Sequence, residues 1–161
     1  MDVLLSSLLG FGVGLLAENG GEWAVHKYLL HGWGSRRGSF WSYHLYEHHA
    51  VAAANDMVDA GYRQWPLRWN AQGKEALVLA VILALHLPLF WLAPAYAAGV
   101  YFGVACYYQR HRRAHLDADW ARRHLPWHYA HHMRPGRDDC WCVSWPWFDR
   151  LLRVLRRSAC S

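Results

Sequence analysis

The chain has 161 residues, which suits one domain, with a formal net charge of +5, 54% hydrophobic residues and a mean hydropathy of only −0.11. Apolar stretches must therefore alternate with strongly polar ones. Four cysteines argue against a disulfide framework, since Cys106 lies in an apolar stretch and Cys140-Trp-Cys142 are too close for an easy mutual bridge. Free thiols on the cytoplasmic side are expected.

Val3 to Ala17 (VLLSSLLGFGVGLLA) carries no charge. It is short for a span and lacks a basic leading region or an A-x-A site, so a retained helix over about 3–18 is expected rather than a cleaved signal. Glu18 and Glu22 border it. The polar stretch that follows contains EWAVHKYLLHGWG and YHLYEHHA, which supply His26, His31, His44, His48 and His49. Asn55-Asp56 is a turn candidate. Ala76 to Gln109 is a second uncharged run. Pro94 near its middle predicts two helices, about 76–92 and 95–109. Helices of about 15 residues reach only about 22 Å, against a hydrocarbon core of about 30 Å, so they either thin the bilayer or continue into the interface. The second polar stretch contains QRHRRAHLD and RRHLPWHYAHHM, with His111, His115, His124, His128, His131 and His132. Beyond it, Trp127, Tyr129, Trp141, Trp145 and Trp147 are candidates either to line an acyl channel or to anchor at the membrane interface. The segment from Phe148 to Leu155 is basic and amphipathic and is expected on the membrane surface.

If the first helix crosses once and the hairpin goes over and back, both polar stretches share one side. All 17 Lys and Arg residues fall in those stretches, six from Lys27 to Lys74 and eleven from Arg110 to Arg157. That bias makes the shared side cytoplasmic and explains the net charge without nucleic acid. The expected fold is an all-α integral membrane domain over 1–161, with about three short membrane helices and a cytoplasmic helical cap.

Eleven of the twelve histidines lie in the polar stretches. Residues three or four apart share a helix face. His44 and His48, His111 and His115, and His128 with His131 and His132 all have that spacing, so each set can aim imidazoles at one ion. His26 and His31 are five apart, about 140° around an ideal helix. Gly32 is expected to end the helix and let His31 turn inward. Ten imidazoles (His26, His31, His44, His48, His49, His111, His115, His128, His131 and His132) exceed the sites of one ion, and two ions fit. Neutral imidazole suits iron, zinc, copper and nickel alike, so spacing leaves the metal open. Zinc does no redox chemistry, whereas iron activates O₂ where alkyl chains are within reach.

A metal-bound histidine normally gives its second N–H to a carboxylate or carbonyl. Glu22, four residues before His26, can reach that face. Glu47, Asp117, Asp119, Asp138 and Asp139 are further candidates. His124, just before Leu125-Pro126, is expected off the ligand face as a supporting group. His86 stands alone in the apolar hairpin. GFGVG at Gly10–Gly14 lies in an apolar helix without a preceding strand and is not a dinucleotide loop.

The boxes HKYLLH, HLYEHH, HRRAH and HYAHH, in this order around a hairpin, resemble the fatty acid hydroxylase superfamily, which includes sterol desaturases and β-carotene hydroxylases. The resemblance runs from Glu22 to Leu152. It implies that the ten histidines above bind two iron ions and that O₂ is a co-substrate. It also implies that electrons arrive from an external donor, a ferredoxin or a cytochrome with its reductase. HKYLLHGWG is similar to the first box of bacterial carotenoid ring hydroxylases. The segment LPWHYAHHMRPGRDDCWCVSWPWFDRLL looks more like sterol desaturases and fatty acid hydroxylases, through the aromatic residues and Phe148-Asp149 after the last histidine pair. The usual Asn-Tyr-Gly there reads Cys140-Trp-Cys142. A di-iron, O₂-dependent hydroxylase of a fatty-acyl or related membrane lipid is the favoured expectation. A carotenoid β-ring hydroxylase, a lipid desaturase and a non-catalytic metal-binding protein are the alternatives, and zinc or another metal is the alternative to iron in a purified sample.

Overall fold

A computed structural model describes residues 2–134 and 140–159, and every regular element among them is helical. Helix α1 (Val3–Ala24) starts on Asp2, whose carboxylate accepts from the Leu4 amide at 3.1 Å. It continues without a break into a π-helical segment, Val25–Gly32, and a 3₁₀ turn, Trp33–Ser35. A second π-helical segment, His44–His49, leads into the short α2 (Ala50–Ala54).

Helix α3 (Ala71–His86) is capped by Asn70, which accepts from the Gly73 amide at 3.0 Å. A turn at Leu87-Pro88 and the single-turn α4 (Leu89–Leu92) follow. Helix α5 (Pro94–Ala114) begins on Pro94, where a missing N–H costs nothing, and the residue before it, Ala93, is driven out of the helical region (φ −146°). Asp117 caps α6 (Ala118–His124), and Pro126 opens α7 (Pro126–Met133) in the same way as Pro94. Helix α8 (Trp147–Ala159) closes the described chain.

Helices α1 and α5 pack along one another through glycine. A Cβ at Gly14 would overlap the Tyr96 carbonyl, and one at Gly99 would overlap the Phe11 carbonyl. Side-chain-free positions on both helices let the backbones touch, which suits association where both helices carry apolar surfaces outward. Val3, Leu4, Leu8, Val13 and Leu16 of α1 and Val81 and Leu85 of α3 all face outward. Two continuous helical stretches, Val3–Ser35 and Ala71–Leu92, are long and apolar enough to cross a membrane. Helix α5, expected as a third span, is not one of them; its last turns carry Arg110, Arg112 and Arg113. The hairpin break falls where Pro94 places it, but α3 starts at Ala71, five residues before the uncharged run. Charge marks where a chain meets water, not where its helix begins.

Candidate metal centre

Histidine 26 and His31 do not need a helix end at Gly32 to converge. The chain winds as a π-helix over Val25–Gly32, and an i→i+5 step places residues five apart one above the other. Their rings lie 5.0 Å apart. His44 and His49 are also five apart and lie on the second π-helical segment, with ring centroids at 4.7 Å.

Two groups result. The first holds His26, His31, His44, His49 and His131; the second holds His48, His111, His115 and His132. In each, the ligand atoms lie within 4.8 Å of one another. His128 flanks the second group, its Nε2 3.3 Å from that of His115 and its ring 4.6 Å from that of His132. The adjacent pairs His48-His49 and His131-His132 divide between the groups. Successive helical residues point about 100° apart, so one doublet can serve two neighbouring centres. The facing rings of His49 and His132, 4.0 Å apart and nearly parallel, stack between the groups.

These side chains fit metal ions better than a hydrogen-bonded core. Several outward ring nitrogens are anchored. His26 Nδ1 lies 2.5 Å from the Trp141 carbonyl, His115 Nδ1 2.8 Å from the Met57 carbonyl, and His111 Nδ1 2.5 Å from Glu75. A proton held at Nδ1 leaves Nε2 as a lone-pair donor aimed inward. Inside, Nε2 meets Nε2: His26 and His44 at 3.0 Å, His49 and His44 at 3.1 Å, His131 and His31 at 3.1 Å. One proton on His44 cannot serve both of its neighbours. Bonds of about 2.1 Å to a shared ion would set two nitrogens about 3.0 Å apart at a right angle and about 3.4 Å apart at the tetrahedral angle, which brackets these separations. Both ring nitrogens of His132 are buried without a hydrogen-bond partner. Burial, then the neighbouring imidazoles, holds His44, His49, His115, His128 and His132 well below the ordinary histidine value and keeps them neutral. The two groups thus present buried and part-buried imidazoles that can hold metal ions.

The supporting groups differ from those the sequence suggests. Glu22 is committed elsewhere: it accepts from the Val143 and Ser144 amides, the Ser144 hydroxyl and Asn19, and so ties the Cys140–Ser144 segment to α1. His26 takes the Trp141 carbonyl from that segment instead. Glu47 is exposed and pairs with Lys74 at 2.7 Å. Asp117 spends its carboxylate on the Trp120 amide as the cap of α6. Asp119 pairs with Arg122 at the surface. His124 is exposed, stacks on Trp120 and bonds to the Trp120 carbonyl, away from both groups. Asp138 and Asp139 lie outside the described residues.

In their place stand residues that the spacing did not single out. Glu75, buried, contacts His111 and accepts from the Tyr62 hydroxyl at 2.7 Å. Asp59 lies 3.6 Å from His48 Nδ1, beyond a direct hydrogen bond, and is itself held by Gln72 and the Gly61 amide. Met57, buried at a positive φ of 79°, is bent so that its carbonyl meets His115. Asp149 accepts from the Trp141 and Cys142 amides and thereby fixes the carbonyl that His26 uses. A usable signal existed for Glu75, the last acid before the uncharged run. None existed for Met57, whose side chain takes no part.

Cys106 and Cys142 are free thiols, and among the described residues neither histidine group includes a cysteine. Burial pushes the Cys142 thiol far up, away from thiolate. A cavity of about 290 Å³ between α1, α3 and α5 has a largely apolar wall, built from Ala17, Val25, Leu30, Val78, Leu79, Ile82, Val100 and Val104, with Tyr43, Tyr96 and Tyr107 and the carboxyl-bearing Glu18 and Glu22 also lining it. It reaches His26 and Glu75 at the centre and His86 at the hairpin. Trp127, Trp141, Trp145 and Trp147 do not line it. Comparison with protein-family models, curated proteins and solved structures finds no match to this chain.

Proposed function

We propose that this chain is an integral membrane oxygenase in which the two histidine groups hold a pair of iron ions and hydroxylate a C–H bond of a fatty-acyl or related lipid. The observation that carries this reading is the aliphatic cavity that ends on His26: an imidazole cluster suited to metal opens into a space suited to hydrocarbon. Iron ions held by these imidazoles and reduced by an outside electron donor would supply the O₂ chemistry needed to oxidise an unactivated C–H bond.

The protein's own contribution is placement. Val78, Leu79, Ile82, Val100 and Val104 desolvate the alkyl chain and hold it against the His26 face. Trp141, Met57 and Glu75 fix ring orientation, so Nε2 of each anchored histidine stays directed inward. In this reading the helical stretches Val3–Ser35 and Ala71–Leu92 would cross the bilayer, with α5 as a third crossing, and the Lys and Arg excess of the polar stretches supports a centre on the cytoplasmic side. Helix α8, with Leu151, Val154 and Leu155 exposed beside Arg150 and Arg153, rests on the surface.

The test is lipid and carotenoid profiling of a host that expresses the chain and a donor system, beside a His128→Ala variant. A product heavier by one oxygen, absent with the variant, is expected. Loss of two hydrogens would make it a desaturase, and an oxygenated carotenoid would move the substrate to the alternative class. Unchanged profiles with both substrate classes and a competent donor present would rule out catalysis and leave a metal-binding protein.

A further inference from the structure

We propose that the cavity seats a lipid alcohol, with the substrate's hydroxyl on Glu18. The inference rests on reading this cavity as the substrate site. The aliphatic wall between α1, α3 and α5 is interrupted by a carboxyl group from α1: Glu18 lines the cavity, and its Oε2 is buried with no hydrogen-bond partner. A buried carboxyl oxygen left unanswered in an apolar enclosure is costly, and it is unlike Glu22 one turn later, whose oxygens are filled by amides and a hydroxyl.

The opposite helix is shaped around Glu18. A Cβ on Gly103 of α5 would lie 2.6 Å from Glu18 Oε2 and 2.9 Å from its Cδ. Glycine at this position therefore leaves room for the carboxyl, where any larger residue would displace it. A pure hydrocarbon offers this oxygen nothing. A hydroxyl satisfies it in either protonation state, because it donates to a carboxylate and both donates to and accepts from a carboxylic acid. Glu18 precedes His26 by eight residues, about 12 Å along the helix axis. The hydroxyl would thus anchor one part of the molecule while a more distant alkyl segment reaches the metal centre. A substrate with a hydroxyl at one place and the reacting carbon at another follows from this spacing.

Binding is read without turnover. The protein is placed in nanodiscs under anaerobic conditions without reductant and is photolabelled with a diazirine-bearing long-chain alcohol. 1-Dodecanol and dodecyl methyl ether then compete. Labels should map to Leu79, Ile82 or Val100, and the alcohol should compete about 10-fold better than the ether where Glu18 is a carboxylate and at least about 2-fold better where it is a carboxylic acid, because the ether accepts a hydrogen bond but cannot donate one. Glu18→Leu should remove that preference yet keep the labelling, whereas Ile82→Trp should remove the labelling by filling the cavity. Should Glu18→Leu fail to fold, Gly103→Ala, whose Cβ would press on Oε2, Cδ and Cγ of Glu18, should reduce the preference in the same direction. Equal competition by alcohol and ether in the unaltered chain, a preference untouched by these variants, or labels outside the cavity would overturn the proposal. Alcohol binding without any oxygenated product would leave this site standing and remove the oxygenase reading instead.

Discussion

If the two histidine groups each hold an ion, as proposed, replacing Glu75 with glutamine should weaken binding of one and spare the other. One oxygen of this buried carboxylate lies 2.5 Å from His111 Nδ1, and the other accepts from Tyr62 at 2.7 Å. Glutamine keeps the size and one acceptor but loses the charge. A hydrogen bond to a charged group contributes about 1.5–3 kcal/mol, against about 0.5–1.5 kcal/mol for a neutral one, so roughly 1 kcal/mol or more is lost at His111. Loss of such outer partners costs about 10–100-fold in metal affinity. The loss should fall on the group of His48, His111, His115 and His132, because Glu75 anchors His111 there, whereas His26 of the first group is anchored by the Trp141 carbonyl. Competitive titration of the metal-free protein with a chromophoric chelator resolves two affinities. The expected result is one unchanged affinity and one weaker by at least about 10-fold. Equal weakening of both, or no change in either, would contradict a division into two centres with separate supports.

Asp149→Ala should loosen the Cys140–Ser144 segment and destabilise the protein by about 2–3 kcal/mol, because the buried amides of Trp141 and Cys142 lose a charged acceptor; chemical denaturation in detergent measures this, and metal loss should begin with the His26 group. Gly99→Leu should prevent α1 and α5 from closing, since even a Cβ there overlaps the Phe11 carbonyl; the check is loss of the folded species in thermal unfolding, with Gly12→Leu, which meets nothing, as the control. The metal-free protein should lose stability as pH falls. His44, His49, His115, His128 and His132 stay neutral when folded but take up protons when unfolded, near pH 6.5. Each contributes a decline of up to about 1.4 kcal/mol per pH unit below that value and nothing above about pH 7.5. Unfolding midpoints from pH 5 to pH 8 should follow that curve, and a flat profile would mean the imidazoles are solvated.

Much of the candidate site was legible because imidazoles at helical spacing stand out in a sequence and geometry then gathers them. The ten histidines named from clustering are the ones that the structure brings together, and His86 and His124 are the ones it leaves apart. The apolar helices and the break at Pro94 were legible from charge and proline. The local winding was not. An ideal helix sets His26 and His31 about 140° apart, and only π-winding brings them together, which sequence periodicity does not encode. Nor was the division of each His-His doublet between two groups, which depends on where four separate segments meet. The supporting acids were misjudged for a related reason. Proximity in sequence favoured Glu22 and Glu47, but a carboxylate goes to whichever donors surround it, and those come from the remote Ser144 and from Lys74. Two of the supports actually used are backbone carbonyls, of Met57 and Trp141, and no side-chain pattern announces a carbonyl.

The measurement that bears most directly on the shared bimetallic site is metal content together with X-ray absorption on the purified protein. Two ions per chain, bound by imidazole nitrogen with no sulfur neighbour and with a second metal detectable in the outer shell, is the expected result. A single isolated ion, sulfur ligation from Cys140 or Cys142, or no bound metal after reconstitution with iron would contradict it.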